Sequence, residues 1–479
     1  MNNERFRYAA ARSAAIVCVA SMLAACGPGG GIGGGEGPAT LSPATADVPV
    51  GGSATFTLSP AQAADWTVEG VPSGNAAVGR ITAIGVYTAP FVIPSPTTVT
   101  IGASVATNTA TVRVVSRFID DGAVTIGTCS ASPCMNAVLA PDLNGDGLSD
   151  LVTADTTDGT MSVLMRNTPG TFFGAAVSID LGDPTKASPQ ALAIGDFNDD
   201  TELDVVVADA EEGEEEVWAL LGNGTGALPT QVPTVLDPAR DPLSIAAGQF
   251  DADADLDVVI ANFLTGSVSV LTGGGTGAFL EITTITTLNS QPLGVAVGDF
   301  NQDGATDLAV ANSGSTVETV EVFLGAGDGT FPTREPYSIA GSPSAVVATD
   351  LNGDGFLDLA ATTASNNRLT VLLNRGTAAG LQFEVQTQFS ATGALPIAVV
   401  AADLNNDGFQ DLAVVNATAE TVSIYLGQGD GTAVASETYP VGNAPQSVAV
   451  GDFNGDDWPD LAVANSGDDT VTILRNRGS

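Results

Sequence analysis

The sequence predicts an all-β protein made of repeated four-stranded units, and three observations support this. An acidic loop recurs seven times between Asp142 and Asp452, at intervals of 54, 53, 50, 51, 53 and 49 residues. Apolar, β-branched segments of strand length flank each loop. Glycine is abundant, with 56 residues, aromatic residues make up only 5%, and no helical periodicity is visible after the first 25 residues. Short strands joined by many turns account for all three.

The first element, residues 1–25, has the layout of a secretory signal. Arginines precede a 12-residue apolar run from Ala14 to Ala25 that is too short to span a bilayer. The run ends in Leu-Ala-Ala-Cys26, which resembles a bacterial lipobox. That resemblance implies lipidation of Cys26, export, and anchoring to the cell envelope, at the outer membrane or cell surface, by the N-terminal lipid only. The alternative is an ordinary signal peptide in which Cys26 is incidental.

A Gly-rich segment, residues 26–37, follows and predicts a flexible tether. Residues 38–115 then form a separate unit with alternating strand patterns and Pro-Gly turns. We predict a small β-sandwich with Trp66 in its core. The stretch Gly-Val-Tyr-Thr-Ala-Pro resembles bacterial Ig-like domains of surface proteins, which implies a spacer or an adhesive module.

Charge restricts the partners of the chain. Without residues 1–25, 11 basic and 54 acidic residues remain, a net charge of −43. This charge disfavours nucleic acid and anionic lipid and favours multivalent cations. Two cysteines remain besides Cys26, and in an exported protein Cys129 and Cys134 predict a small disulfide loop.

The chain contains no histidine and one lysine, Lys186. Histidine-based catalysis and His-ligated zinc, copper or iron are therefore excluded, and Schiff-base chemistry is disfavoured. An enzyme would have to work with carboxylates, tyrosine, arginine or bound calcium, so the composition disfavours catalysis.

Each repeat, within residues 116–479, has the same internal order. An apolar strand leads into the acidic loop, a second strand leaves it, a third follows a polar turn, and a more polar fourth follows a Gly-rich turn. Four antiparallel strands repeated seven times predict a seven-bladed β-propeller; a linear β-solenoid is the alternative, although its rungs are usually shorter. The last repeat stops after its third strand, so we predict that residues 118–127 supply its fourth strand and close the ring.

The repeated motif D-x-N-x-D-G-x-x-D, followed by an apolar strand and Gly-Asp-Gly-Thr-Phe turns, resembles the FG-GAP (VCBS-like) repeats of integrin α-subunits and bacterial surface proteins. The resemblance covers residues 117–479. It implies a propeller whose face opposite the acidic loops recognises a ligand, here an extracellular protein or glycan.

The loop chemistry predicts calcium. Calcium takes six to eight oxygen ligands, and a tight loop can direct the side chains at positions 1, 3, 5 and 9 and the carbonyl of position 7 at one ion. We therefore expect about six to seven Ca²⁺ sites, with solvated Asx turns that hold no metal as the alternative. We name the loops 1 to 7, and their predicted ligands are, in order, Asp142, Asn144, Asp146, Leu148 and Asp150; Asp196, Asn198, Asp200, Glu202 and Asp204; Gln249, Asp251, Asp253, Asp255 and Asp257; Asp299, Asn301, Asp303, Ala305 and Asp307; Asp350, Asn352, Asp354, Phe356 and Asp358; Asp403, Asn405, Asp407, Phe409 and Asp411; Asp452, Asn454, Asp456, Trp458 and Asp460.

Loop 3 departs from this pattern. It has Gln249 at position 1 and Ala254 at position 6, where four other loops have Gly, while Asp251 replaces Asn at position 3. We expect the weakest or a partly filled site there, with the side chain of Asp255 facing solvent.

Four loops of the opposite face are candidates for ligand contact, although each has the composition of an ordinary polar turn: residues 210–218, 261–268, 363–370 and 129–134. The Gly-rich turn at 325–329 lacks the Lys and the helix of a phosphate-binding loop. The sequence thus predicts a calcium-binding, lipid-anchored surface protein that binds a protein or glycan. The alternatives are a calcium-dependent polysaccharide lyase or hydrolase and a purely structural envelope protein.

Overall fold

The computed structural model describes residues 40–59, 66–69, 71–72, 74–75, 78–90, 98–103, 106, 109–126, 135–166, 173–182, 187–210, 215–236, 240–287, 291–314, 318–376, 381–390 and 393–478. Regular structure in these residues is all β, as predicted. The secretory signal, the tether, Cys26, Cys129 and Cys134 lie outside them. No helix of the described residues has the length and apolar character needed to cross a membrane.

The N-terminal unit consists of short strands around one core. Its two larger sheets have the strand orders β2-β11-β10-β5-β6 and β3-β9-β8-β7, and β1 pairs with β4. Trp66 is 8% exposed and lies in the shared core, as predicted. The strands are β1 (Thr40–Ser42), β2 (Thr45–Pro49), β3 (Ser53–Thr55), β4 (Thr57–Ser59), β5 (Trp66–Val68), β6 (Val71–Pro72), β7 (Gly74–Asn75), β8 (Gly79–Ile81), β9 (Val86–Thr88), β10 (Thr98–Ala103) and β11 (Ala110–Val115).

Seven antiparallel four-stranded sheets follow, which we name sheets 1 to 7. Sheets 1 to 3 contain β13 (Met135–Leu139), β14 (Leu151–Asp155), β15 (Thr160–Leu164) and β16 (Val177–Asp180); β17 (Pro189–Gly195), β18 (Asp204–Asp209), β19 (Glu216–Leu221) and β20 (Thr230–Val235); β21 (Pro242–Gly248), β22 (Asp257–Asn262), β23 (Ser267–Thr272) and β24 (Leu280–Thr286).

Sheets 4 to 7 repeat this order, and sheet 7 takes its fourth strand from earlier in the chain. They contain β25 (Pro292–Gly298), β26 (Asp307–Asn312), β27 (Thr319–Leu324) and β28 (Thr333–Ser338); β29 (Pro343–Thr349), β30 (Asp358–Thr363), β31 (Arg368–Asn374) and β32 (Phe383–Ser390); β33 (Pro396–Ala402), β34 (Asp411–Asn416), β35 (Thr421–Gly427) and β36 (Ala433–Pro440); β37 (Pro445–Gly451), β38 (Asp460–Asn465), β39 (Thr470–Asn476) and β12 (Phe118–Thr125).

The position of a strand in its sheet explains its composition. The second strand is covered on both faces, so in sheets 2 to 7 every residue of this strand is buried, as in β22 with the sequence Asp-Val-Val-Ile-Ala-Asn. The fourth strand is the outermost one, and β24 alternates between exposed and half-buried residues. Burial of each Val or Ile of a second strand contributes roughly 1.5–3 kcal/mol.

Neighbouring sheets pack face to face, and the cores lie between them. One core joins Val152 and Val163 of sheet 1 to Val205 and Val207 of sheet 2. The first strands of consecutive sheets contact each other, and β13 contacts both β17 and β37. Strand β12 pairs with β39 from Phe118 opposite Asn476 to Thr125 opposite Thr470, so the start and the end of the repeat region share sheet 7.

Candidate metal centres

The seven acidic loops join the first and second strands of the seven sheets, all at one face. In loops 2 to 7, position 9 is the first residue of the second strand, and in loop 1 Asp150 directly precedes β14. The strand therefore fixes the carboxylate of position 9, while positions 1 to 8 form the turn that faces it.

Backbone amides hold the loop side chains in place, as loop 1 illustrates. The carboxylate of Asp142 accepts hydrogen bonds from the backbone N–H groups of Asp146 and Gly147, at 3.1 and 2.8 Å. Asn144 Oδ1 accepts from the N–H of Asp146, and Asp146 Oδ1 accepts from that of Leu148, both at 2.9 Å. These Asx-type bonds fold the loop around its own oxygens, which keep further lone pairs for a cation.

Position 6 requires a left-handed backbone in six loops. Glycine meets this requirement in loops 1, 4, 5 and 6, as in Gly147 with φ 87°. Thr201 in loop 2 and Asp457 in loop 7 adopt φ 75° and 64° without that freedom, at a cost of about 1 kcal/mol or more each.

The aspartate of position 9 is fully buried and holds the loop to the third strand. In loop 6, Asp411 Oδ2 accepts from the N–H of Leu404 at 3.0 Å, and Asp411 Oδ1 accepts from the N–H of Gly427 at 2.7 Å. The same two bonds occur in all seven loops. Position 9 is therefore a structural anchor as well as a candidate ligand, a role that sequence reasoning missed.

Burial shifts the titration of these aspartates. Desolvation raises their pKa, the backbone hydrogen bonds oppose this shift, and the carboxylates at positions 1 and 5 of the same loop add to it. The pKa rises to about 7 for Asp411 and Asp460, to about 6 for Asp150, Asp307 and Asp358, and by smaller amounts for Asp204 and Asp257.

Loop 3 brings three carboxylates together. Oxygen atoms of Asp251, Asp253 and Asp257 lie within 4.8 Å of one another, and this is the one such group among the described residues. Gln249 Nε2 donates to Ala254 O at 2.8 Å, so Gln249 replaces the carboxylate anchor of the other loops with a different bond. The cluster arises because Asp251 replaces the Asn of position 3, which places a carboxylate beside Asp253 and Asp257.

The side chain of Asp255, predicted to face solvent, is partly exposed and also approaches the neighbouring loop. It lies against Asp199 of loop 2, beside Gly275. Desolvation, followed by the hydrogen bond to Asp199, raises the pKa of Asp255. Loops 2 and 3 thus share a carboxyl pair that the repeat pattern alone could not place.

Loop 6 lies under the N-terminal unit. Asn405 is 5% exposed, whereas its counterparts in the other loops are half-buried, and its Nδ2 has no hydrogen-bond partner. Arg117 is 2% exposed; its Nη1 donates to Leu404 O of loop 6 at 3.2 Å and its Nη2 donates to Val50 O. Burial lowers the pKa of Arg117, while the charge of Asp411 opposes the shift, so a fixed cation stands beside this loop.

The donor set fits a hard divalent cation. All side-chain donors of the predicted positions are oxygens, the type that calcium prefers. No ion pair between described residues includes a side chain of the seven loops. At loop 3 the mutual repulsion of three carboxylates is therefore not offset by a basic side chain in the described part of the chain.

Position 2 of each loop is a second feature that the sequence reasoning passed over. Its apolar side chain packs between sheets, as in Phe453 against Phe173 of sheet 1, with ring centroids 5.7 Å apart. Its carbonyl accepts a hydrogen bond from the following sheet, as Phe250 O does from the N–H of Gly329 at 2.8 Å. The signal was visible, because position 2 is Phe or Leu in every loop.

In the loops proposed for ligand contact on the opposite face, polar side chains of the described 363–370 turn bond to the turns beside it. Asn366 Nδ2 donates to Ala340 O at 2.6 Å, and Asn367 Oδ1 accepts from the N–H of Leu395 at 2.7 Å. Trp218 is 8% exposed and packs in a core, so it does not present its ring to a ligand. Leu264, at 63% exposure, is an accessible apolar side chain. The 129–134 loop lies outside the described residues.

Comparison with known protein families finds one family model that matches the repeats. A family model described as FG-GAP-like repeat matches residues 142–207, 196–260, 249–310, 299–361, 350–414 and 403–463. Each matched segment begins at position 1 of one acidic loop and extends through the next loop. A search of curated proteins gave no match.

Proposed function

Since the chain belongs to the family of FG-GAP-like repeat proteins, we propose that it is a calcium-binding, cell-surface scaffold whose β-propeller binds a protein or a glycan. The observation that carries the proposal is the recurrence of one loop, with oxygen donors at fixed positions and a buried aspartate at position 9, in seven consecutive sheets. Repeats of this family suggest a propeller-like scaffold for adhesion or binding. The oxygen donors of the acidic loops are the reason that we propose a bound cation.

We propose a closed ring of seven blades. Strand β12 pairs with β39, β13 contacts β37, and the rings of Phe173 and Phe453 meet edge to face between sheets 1 and 7. These contacts join the first and last sheets in the way that the intervening sheets are joined. A closed ring removes the sheet edges that would otherwise favour aggregation.

We further propose calcium as the resident ion. Its role in each loop would be structural, because a bound Ca²⁺ offsets the repulsion of clustered carboxylates and holds the turn against the second strand. The chain supplies the donors: side-chain oxygens at positions 1, 3, 5 and 9 and a carbonyl at position 7.

The proposed location is the cell envelope, with lipid attached at Cys26 and residues 38–115 as an Ig-like spacer. The proposal of an Ig-like spacer is supported by the two larger sheets of this unit and by the core around Trp66. Lipidation is tested by expressing the chain in a bacterium with a radiolabelled fatty acid: label on the chain, and its loss in Cys26→Ser, are expected. An unlabelled, freely secreted chain would contradict the anchor.

Binding is tested with the purified full chain in millimolar calcium, by screening glycan and surface-protein arrays beside a polysaccharide degradation assay. Saturable binding without turnover is expected, and chelation should abolish it. Turnover of a polysaccharide with no other saturable partner would instead favour an enzyme.

A further inference from the structure

A cavity of about 270 Å³ lies where the first strands of all seven sheets meet. Its lining comes from the first half of each strand, the end nearest the face opposite the acidic loops. The cavity contains no side chain from the metal loops. It is therefore a feature of its own, with a chemistry that the seven metal loops do not explain.

The same irregularity in each first strand builds the rim of this cavity. In every sheet the pairing of the first strand with the second skips the second residue, which leaves a β-bulge. A bulge redirects the side chain of the extra residue. The seven bulged residues are half-buried and all line the cavity; in ring order they are Asn136, Gln190, Leu243, Leu293, Ser344, Ile397 and Gln446.

The rim has two chemically different arcs. Sheets 7, 1 and 2 contribute the carboxamides of Gln446, Asn136 and Gln190, and Asn136 Nδ2 donates to Gln190 Oε1 at 2.6 Å. Sheets 3, 4 and 6 contribute the aliphatic side chains of Leu243, Leu293 and Ile397, with one serine between them at sheet 5.

Below the rim, the branched fourth residues of the strands form an aliphatic floor. The third residue of each strand is Ala, Ser or Gly, which leaves the space open. The fourth residue is a branched aliphatic side chain in every sheet, and those that line the cavity are 2–9% exposed, including Leu192 and Ile245. The lining has no charged side chain.

These properties select one kind of occupant. A sugar would place hydroxyl groups against the arc of Leu243, Leu293 and Ile397 and against the branched fourth residues, which offer no side-chain hydrogen-bond partner, and this costs free energy. The serines of the third position are already engaged, because Ser244 Oγ accepts the N–H of Val295 at 3.2 Å and Ser447 Oγ accepts that of Val138 at 3.4 Å. An aliphatic side chain fits the floor, and the rim carboxamides match the N–H and C=O groups of the backbone that carries it. We infer that the cavity receives an aliphatic side chain of a peptide segment from a protein partner.

The charge around the mouth adds a second criterion. The described turns of this face carry Asp158, Asp241, Glu420 and Asp468. The basic residues described in these turns and at the strand ends beside them are Arg240, which pairs with Glu281 at 2.5 Å, and Arg368, the first residue of β31. A segment with Lys or Arg beside the aliphatic residue is therefore favoured electrostatically. The inference rests on the proposed binding function and selects a basic-flanked peptide over a glycan.

The test uses the full chain in millimolar calcium and capped heptapeptides with Leu at the centre and Lys at both flanks. Fluorescence anisotropy should show saturable binding that weakens about tenfold or more when the central Leu becomes Ser. Leu293→Gln, on the aliphatic arc, should weaken binding of the Leu peptide by a similar factor. The matched control is Leu280→Gln, the same change at an exposed leucine of the outermost strand β24, outside the cavity and outside the candidate contact loops, which should leave binding unchanged.

Equal binding of the Leu and Ser peptides, equal effects of the two Leu→Gln changes, or no peptide binding would overturn the inference. Because Leu293→Gln could unfold the chain, Gln446→Ala on the opposite arc provides a second variant, expected to weaken binding several-fold with an unchanged melting temperature. A positive glycan array together with no peptide binding would sink this inference and leave the proposed function intact.

Discussion

Loops 3 and 6 occupy the same place in their repeats, between the first and second strands, but in different electrostatic surroundings. In loop 3, Asp251, Asp253 and Asp257 crowd within 4.8 Å with no ion-pair partner among the described residues. Loop 6 lies beneath the N-terminal unit, with the buried guanidinium of Arg117 bonded to Leu404 O. The comparison teaches that a repeat fixes the donors of a site, while the surrounding fold decides whether their charge needs an external cation.

Calcium removal has the largest expected effect. With free calcium near 1 mM and a site constant of ~10⁻⁵ M, each occupied loop contributes about 2.7 kcal/mol to the free energy of unfolding. Calorimetry should show a large fall in melting temperature when chelator is added at neutral pH. An unchanged melting temperature would contradict the metal assignment, and magnesium added in place of calcium controls for ionic strength.

Arg117→Met should have the next largest effect. The change leaves Val50 O and, in part, Leu404 O without a donor in a buried place, at a cost of about 2–4 kcal/mol. It also removes the fixed cation beside loop 6, so calcium should bind that loop more tightly.

The matched control for Arg117→Met is Arg113→Met, four residues earlier in the chain, where the guanidinium is 54% exposed and pairs with Asp47 at the surface. Its expected cost is below about 1 kcal/mol. Equal falls in the calorimetric melting temperature for the two variants would show that Arg117 does not hold the N-terminal unit to loop 6.

The pH dependence of the melting temperature, measured in chelator, reports the titration of the position-9 aspartates without bound calcium. Burial raises the pKa of Asp411 to about 7 and that of Asp307 to about 6, above the ordinary value of 3.8. The folded state therefore holds protons that the unfolded state releases, and stability falls as pH rises through that range. The chelated protein should melt at a higher temperature near pH 5 than near pH 7.5.

Calcium should reverse this order, because it binds the deprotonated carboxylates. The check is a set of four melting curves, at two pH values with and without calcium. Equal melting temperatures of the chelated protein at both pH values would show that burial does not set the titration of position 9.

The smallest effect is expected when the aspartate at position 5 is changed to asparagine in each of the two loops, which compares them directly. In chelator, Asp253→Asn should raise the melting temperature, because it relieves repulsion in loop 3 by about 1 kcal/mol or less. Asp407→Asn should leave it unchanged or lower it, because Asp407 lies near the positive charge of Arg117. In both variants the amide oxygen can still accept the backbone N–H of position 7. The same sign of change in both variants would remove the distinction between the loops.

Much of the fold was accessible from the sequence because it repeats. The spacing of the acidic loops and the strand order of each repeat predicted four-stranded, all-β units, and these are present in the structure. The pairing of residues near Phe118 with the last strand followed from a missing fourth strand in the last repeat. The burial of Trp66 followed from its place in an alternating strand. The metal ligands, the lipid anchor and the partner stay predictions.

Other features could not be predicted, because they join residues far apart in the chain. Arg117 meets Val50 and Leu404 through the packing of two units, and no local pattern encodes that contact. Asp255 meets Asp199 because neighbouring loops converge at one face. The double hydrogen bond of position 9 needs the third strand beside the loop.

The sequence by itself determined the repeat, the strand content of each sheet and the donors in every loop, because hydrophobic patterning and turn chemistry act over a few residues. Only the tertiary structure decided which loop is covered, which carboxylates share a neighbour and which seven residues line one cavity. Those outcomes depend on distances between sheets, and the electrostatic and desolvation energies that follow depend on such distances rather than on the order of residues.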